Sequence, residues 1–174
     1  MSGADVSDLQ RFLAQDNTIY PQGLVTGYFG TLTKAAVSNF QARNGISNIG
    51  RVGPVTMAAI NAQMGGGLVG SGPVIGPVFI TTGNTGATMT WNTSGNSAAI
   101  IYYSTAPLAM TEASATTGVT IGGSSMLVHT DQRSTHAATL TGLLSNSTYY
   151  YVVYAKDASG NESITWPSTF RTTN

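Results

Sequence analysis

Charge is scarce in this chain. Lys, Arg, Asp and Glu together make up 8% of its 174 residues, where about 25% is usual for a globular domain. Seven basic residues balance seven acidic ones, so the formal net charge is zero. A nucleic-acid binder needs a clustered excess of Lys and Arg to neutralise phosphates. Such a cluster is missing, and that class is excluded. An amphipathic membrane-surface helix is excluded for the same reason. Cysteine is absent, which rules out disulfides, thiolate metal sites and cysteine nucleophiles. Apolar runs fall short of the ~20 residues that a membrane span requires. The start, Met1-Ser2-Gly3-Ala4-Asp5, has no basic stretch leading into an apolar core, so a signal peptide is not expected within this sequence. What remains is a 41% hydrophobic chain whose polar surface is carried by Ser, Thr, Asn, Gln and Gly.

The periodicity changes once along the chain. In residues 1–64, Val6, Leu9, Gln10, Phe12 and Leu13 recur at three- and four-residue spacing and predict a first helix. A second is predicted over Thr31–Arg43, with Leu32, Ala35, Ala36, Val37 and Phe40 apolar and Gly45 suited to a left-handed cap. A third begins at Pro54, the favoured first-turn residue, and carries Val55, Ala58, Ala59 and Ile60. Within this half the chain repeats itself. Gly27-Tyr28-Phe29-Gly30-Thr31-Leu32-Thr33-Lys34-Ala35-Ala36-Val37 aligns with Gly50-Arg51-Val52-Gly53-Pro54-Val55-Thr56-Met57-Ala58-Ala59-Ile60. Two equal turn-into-helix units are implied, with glycines permitting positive φ in the turn and Thr33 or Thr56 in the first helical turn.

Taken together, Leu9-Gln10, Gly27-Tyr28-Phe29-Gly30, Thr33, Ala36-Val37, Phe40-Gln41, Gly45-Ile46 and Gly53-Pro54-Val55-Thr56 resemble the peptidoglycan-binding domain 1 family over residues 5–63. The resemblance implies a three-helix module that binds cell wall without cleaving it, on a bacterial envelope protein.

Residues 65–76 form a Gly-rich linker. From 77 to 174 the pattern alternates. Strands are expected at 78–81, 88–92, 99–104, 127–130, 137–140, 149–156 and 169–172, separated by turn residues at Gly83-Asn84, 92–96, Gly122-Gly123 and Ser159-Gly160-Asn161. The stretch 107–123 is poor in bulky residues and reads as a long loop or irregular edge. About seven short strands indicate an antiparallel sandwich. Trp91, Ile101, Tyr103 and the run Leu140-x-x-Leu143 followed by Thr148-Tyr149 and Val153 resemble a fibronectin type III domain. That resemblance makes Tyr149 a tyrosine corner and turns Tyr151, Val153 and Ala155 inward with Trp91. The fold class expected is therefore two domains: an all-α three-helix bundle at 1–64 and an all-β fibronectin type III-like sandwich at 77–174.

Catalytic chemistry is not expected. Asp5 and Asp8 lie where carboxylates complement the first helix's dipole, and Asp157 reads as a turn former. Paired carboxylates facing a groove, which glycoside hydrolysis needs, are unmarked. His129-x-Asp131 echoes metal-ligand spacing, but a structural role is preferred, and neither metal nor cofactor is expected. Binding is the better-supported chemistry. Aromatic rings pack on sugar faces, and free amides at a helix N-terminus hold carboxylates. Gly27, Tyr28, Phe29, Gly30 and Thr33 supply both, and Gln41 and Arg43 add polar contacts at the second helix's far end. The expected protein is a non-catalytic, extracellular or cell-surface bacterial protein that binds peptidoglycan, with the sandwich as spacer or interaction module. Two alternatives compete: a self-assembling subunit of a filament or surface layer, whose partners would be its own copies or other surface proteins, and an accessory fragment of a wall hydrolase.

Overall fold

The computed structural model describes residues 3–64, 72–112 and 118–174. Three helices come first: α1 (Ala4–Leu13), α2 (Thr31–Arg43) and α3 (Pro54–Met64). Eight strands follow: β1 (Phe79–Thr82), β2 (Gly86–Ser104), β3 (Met110–Glu112), β4 (Val119–Ile121), β5 (Ser124–Thr141), β6 (Thr148–Lys156), β7 (Glu162–Ile164) and β8 (Ser168–Arg171).

The helices begin and end where the sequence chemistry places them. Gly45 follows α2 with φ 68°. The Ile46 N–H bonds the Gln41 carbonyl at 2.9 Å and the Gly45 N–H bonds that of Ala42 at 3.3 Å, which is a Schellman closure. Leu9, Leu13, Val37, Phe40, Val55 and Ile60 face one another in a common core.

The sandwich is one curled sheet. Its path runs β1-β2-β6-β7, with β5 on β2 and β8 on β6, all antiparallel. The sequence reading assigned two strands to each of the stretches that form β2 and β5; the chain instead stays in the ladder through both corners. Asn92 pairs Thr135, then the register shifts between Asn92 and Ser97, between Ser97 and Ala99, and between Ala99 and Ile100. Bulges bend a strand sharply without ending its pairing. The first half of β2 therefore lies between β1 and β5, and the second half between β5 and β6. Met89, Trp91, Ile101, Leu140, Tyr151 and Val153 fill the interior of the curl.

Strand β6 is covered on both faces. Tyr149, Tyr151 and Val153 point into the sandwich, while Tyr150, Val152 and Tyr154 join the core of the helices. A strand buried on both sides needs an unbroken apolar run, and Tyr149-Tyr-Tyr-Val-Val-Tyr-Ala155 supplies one. The helical part is thus packed on the sandwich, and Leu108, Met110, Val119, Ile121 and Ile164 complete the shared core. This corrects the reading of 107–123: its described residues include the hairpin β3–β4, which clasps the helices. Most of the Gly-rich linker, 65–71, lies outside the described residues. Its end is pinned along β2: the Val74 N–H bonds Ser94 Oγ at 2.9 Å and the Gly76 N–H bonds the Asn92 carbonyl at 2.8 Å.

Tyr149 closes the corner before β6. Its hydroxyl accepts the Leu144 backbone N–H at 2.9 Å. Tyr149→Phe leaves that donor without this partner, and a loss of about 1 kcal/mol is expected. A urea denaturation midpoint unchanged from the parent would contradict the role.

Candidate functional site: two helix entrances

Each of the two repeated turns is held by a glutamine from the preceding helix. In the first, the Gln10 amide donates to the Tyr28 carbonyl at 3.0 Å and to Thr33 Oγ1 at 2.8 Å, and its oxygen accepts the N–H groups of Thr26 and Gly27, both at 2.9 Å. In the second, the Gln41 amide donates to the Arg51 carbonyl at 2.6 Å and to Thr56 Oγ1 at 2.9 Å, and its oxygen accepts the Gly50 N–H at 2.8 Å. Three of these bonds correspond atom for atom: those to the Tyr28 and Arg51 carbonyls, to the Thr33 and Thr56 hydroxyls, and from the Gly27 and Gly50 N–H groups. Gly27 and Gly50 have φ of 69° and 68°, a region that L side chains occupy only with strain. The glycine is what lets the backbone turn its N–H back onto the glutamine.

The entrances differ in what covers them. Glu112, reaching over from the β3–β4 hairpin, fills the α3 entrance. Its carboxylate accepts the Thr56 N–H at 2.6 Å and the Thr56 hydroxyl at 3.1 Å. Gly53 leaves room for it: a Cβ there would lie 2.8 Å from the carboxyl carbon. The acid sits on the partial positive charge of the helix start, where anions are stabilised. The α2 entrance has no side-chain cap. Over Gly30, in the position equivalent to Gly53, lies the edge of the Tyr28 ring. Tyr28 is 62% exposed, and Leu24, Val25 and Leu32 beside it in sequence are exposed as well.

The residues expected to contact a ligand therefore fall into three places. Gly27, Tyr28, Phe29 and Gly30 form the α2 entrance, with Tyr28 outermost and Phe29 packed against the helical core. Thr33 and Gln41 are buried and engaged in the two clamps. Gln41 serves the α3 entrance, not the α2 one. Arg43 stands at the other end of α2, some twelve residues and so roughly 18 Å from the entrance. There it pairs with Asp16 at the rim of a hollow of about 400 Å³, lined also by Phe12, Ile19, Phe40 and Asn44. Hydrogen bonds from the Thr18 hydroxyl and amide, and then Arg43, hold the Asp16 carboxyl below its usual range. Sequence reasoning missed Gln10 and Glu112. Gln10 was visible as a polar residue on an apolar stripe.

Among the described residues, no group of three His, Cys, Asp or Glu side chains is disposed to hold a metal ion, and no helix is long and apolar enough to cross a membrane. The architecture is that of a helical binding module packed on a fibronectin type III-like sandwich. Residues 77–174, more than half of the chain, match the family model described as "Purple acid Phosphatase, N-terminal domain", and the chain belongs to that family; residues 2–60 match the "Putative peptidoglycan binding domain". The first of these is the non-catalytic domain of its enzymes, so neither match is to a catalytic domain. Among solved structures, the chain is similar to the third fibronectin III domain of the human KIAA0343 protein, at 22% identity and a TM-score of 0.40, covering 63% of this chain and 92% of that one. It is similar also to a myokine structure, at 16% identity and a TM-score of 0.40, covering 61% of this chain and all of that one. The fibronectin type III domain of human fibronectin type III domain containing protein 3 is 18% identical, with a TM-score of 0.36 over 62% of this chain and 93% of its own. No curated protein matches the chain.

Proposed function

We propose that the protein is a non-catalytic component of the bacterial cell envelope that binds peptidoglycan through the α2 entrance, with the sandwich as spacer or contact surface. The observation that carries this reading is the contrast between the two entrances. The α3 entrance is filled by Glu112, whereas α2 begins without a side-chain cap beside an exposed tyrosine. Wall glycan offers sugar faces for the Tyr28 ring, and its peptides offer carboxylates for the first amides of α2. Arg43, at the rim of the distant hollow, would meet a second part of an extended ligand. Thr33 and Gln41 would act by holding the turns. An extracellular or cell-surface location follows from the ligand.

The full chain is expected to co-sediment with purified sacculi. Tyr28→Ala should weaken that binding roughly tenfold, the loss of one aromatic contact worth about 1.4 kcal/mol. Retention of the folded parent protein in the supernatant would end the proposal.

A second reading, assembly of copies into a filament or surface layer, draws on β5. Among the described residues this strand pairs only with β2, and Leu127 on it is 59% exposed. A free edge of that kind is a template for pairing. A single monomeric species in sedimentation velocity at high concentration would remove this reading.

A further inference from the structure

The corner where β2 and β5 bend together contains a line of polar atoms that belongs to neither entrance. His129 Nδ1 lies 2.9 Å from the Asp131 carbonyl oxygen and 3.4 Å from its carboxylate. His129 Nε2 lies 2.8 Å from His136 Nδ1. His136 Nε2 lies 2.9 Å from Thr93 Oγ1, which is itself 2.8 Å from the Gly95 carbonyl. The imidazoles are nearly coplanar, at 10°, and Trp91 lies parallel to His136 at 5.2 Å. His136 is 1% exposed.

Donor and acceptor counting allows two complete arrangements. With both rings neutral, the Thr93 hydroxyl donates to His136 Nε2. His136 Nδ1–H then donates to His129 Nε2, and His129 Nδ1–H donates to the Asp131 carbonyl. With one more proton, the two bonds made by His136 reverse. His129, now an imidazolium, donates from Nδ1 to Asp131 and from Nε2 to His136 Nδ1. His136 Nε2–H donates to Thr93, and the Thr93 hydroxyl turns to the Gly95 carbonyl. The first state holds three of these hydrogens and the second four, so one proton is bound with every contact of the line kept and the Thr93–Gly95 bond added. A further proton would set two N–H groups head to head across 2.8 Å, which the geometry forbids.

We propose that His129 and His136 form a one-proton site in which charging of the outer ring switches the tautomer of the buried one. The surrounding charges favour this placement. On β5, Asp131 and Arg133 are exposed and paired with each other at 2.5 Å. On β2, the groups facing the pair are Trp91, Thr93 and Ser97, and none of these titrates in the physiological range. On β6, the Lys156 carbonyl accepts the Gln132 amide at 3.3 Å, while its ammonium pairs with Glu162. The charge of the pair therefore settles on His129, beside Asp131. His136 is kept neutral, its pKa pushed down to about 4 by burial first, then by the charges of His129 and Arg133.

The test is nitrogen NMR of the histidine rings in the full chain, titrated from alkaline to mildly acid conditions, with amide dispersion showing that the fold persists. Through the single transition in which His129 becomes an imidazolium, His136 Nδ1 should move from a protonated to a bare-nitrogen shift and Nε2 the opposite way, with His136 staying neutral. In His129→Gln the switch at His136 should disappear. A His136 tautomer that stays fixed while His129 ionises would overturn the proposal, as would two rings that charge independently. Should the variant fail to fold, the parent protein alone decides.

Discussion

Replacing Gln41 by leucine is expected to destabilise the helical part by about 4 kcal/mol. Gln41 is completely buried. Its side chain satisfies the Gly50 N–H, meets the Thr56 hydroxyl, and donates to the Arg51 carbonyl. Leucine has nearly the same volume, so the loss will not come from a cavity. It comes from removing the partner of buried polar groups, each costing about 1–3 kcal/mol when stranded. The apolar gain of leucine offsets part of this, which is why the sum is not larger. Guanidinium unfolding of the full chain measures the effect. A loss under about 1 kcal/mol would mean that the turn is held by its own backbone and that the clamp is incidental. Gln10→Leu should act in the same direction but less strongly, because several of its bonds are only partly buried.

These clamps explain why the sequence disclosed the repeat but not its mechanism. Gly27 and Gly50, Thr33 and Thr56, and Ala36 and Ala59 recur at one fixed offset because they lie within one short turn-and-helix unit. The glutamines sit on the preceding helices, and the loops between differ in length. Gln10 precedes its threonine by 23 residues and Gln41 by 15, so no constant offset relates the two. A polar residue next to Phe40 was read as a surface contact; only the fold reveals it as the counterpart of Gln10.

The sandwich was legible for a similar reason and illegible for another. Trp91, Tyr149, Tyr151 and Val153 carry period two within single strands, and they point inward as that period requires. The corners were misread because Asn92, Thr93, Ser94, Gly95 and Asn96 have turn composition, and a bulged strand uses the same residues. Pairing partners far along the chain decide which occurs, as in Trp91 opposite His136. In the stretch 107–123, counting bulky residues concealed their spacing. Leu108, Met110 and Glu112, then Val119 and Ile121, fall on alternate positions, and these side chains close the gap between helices and sheet.

Glu112→Lys is expected to cost about 4 kcal/mol and to uncouple the helical part from the sandwich, giving two thermal transitions where the parent gives one. Glu112 is 7% exposed, so the ammonium would replace a buried, hydrogen-bonded carboxylate. It would face the Thr56 N–H and the positive end of α3, an unfavourable charge in place of a favourable one. Glu112→Gln keeps an oxygen for the Thr56 N–H and should lose only about 1 kcal/mol. That ordering separates charge from shape. Gly53 separates contact from general disruption. Its backbone is not in the left-handed region, and the three atoms nearest a new Cβ are those of the Glu112 carboxyl group, at 2.8–2.9 Å. Gly53→Ala should therefore destabilise the parent strongly but be nearly neutral once Glu112 has been cut back to alanine. Additive losses in that double-mutant cycle would show that Glu112 does not rest in the α3 entrance, and the distinction between an acid-capped and an uncapped entrance, on which wall binding through Tyr28 depends, would go with it.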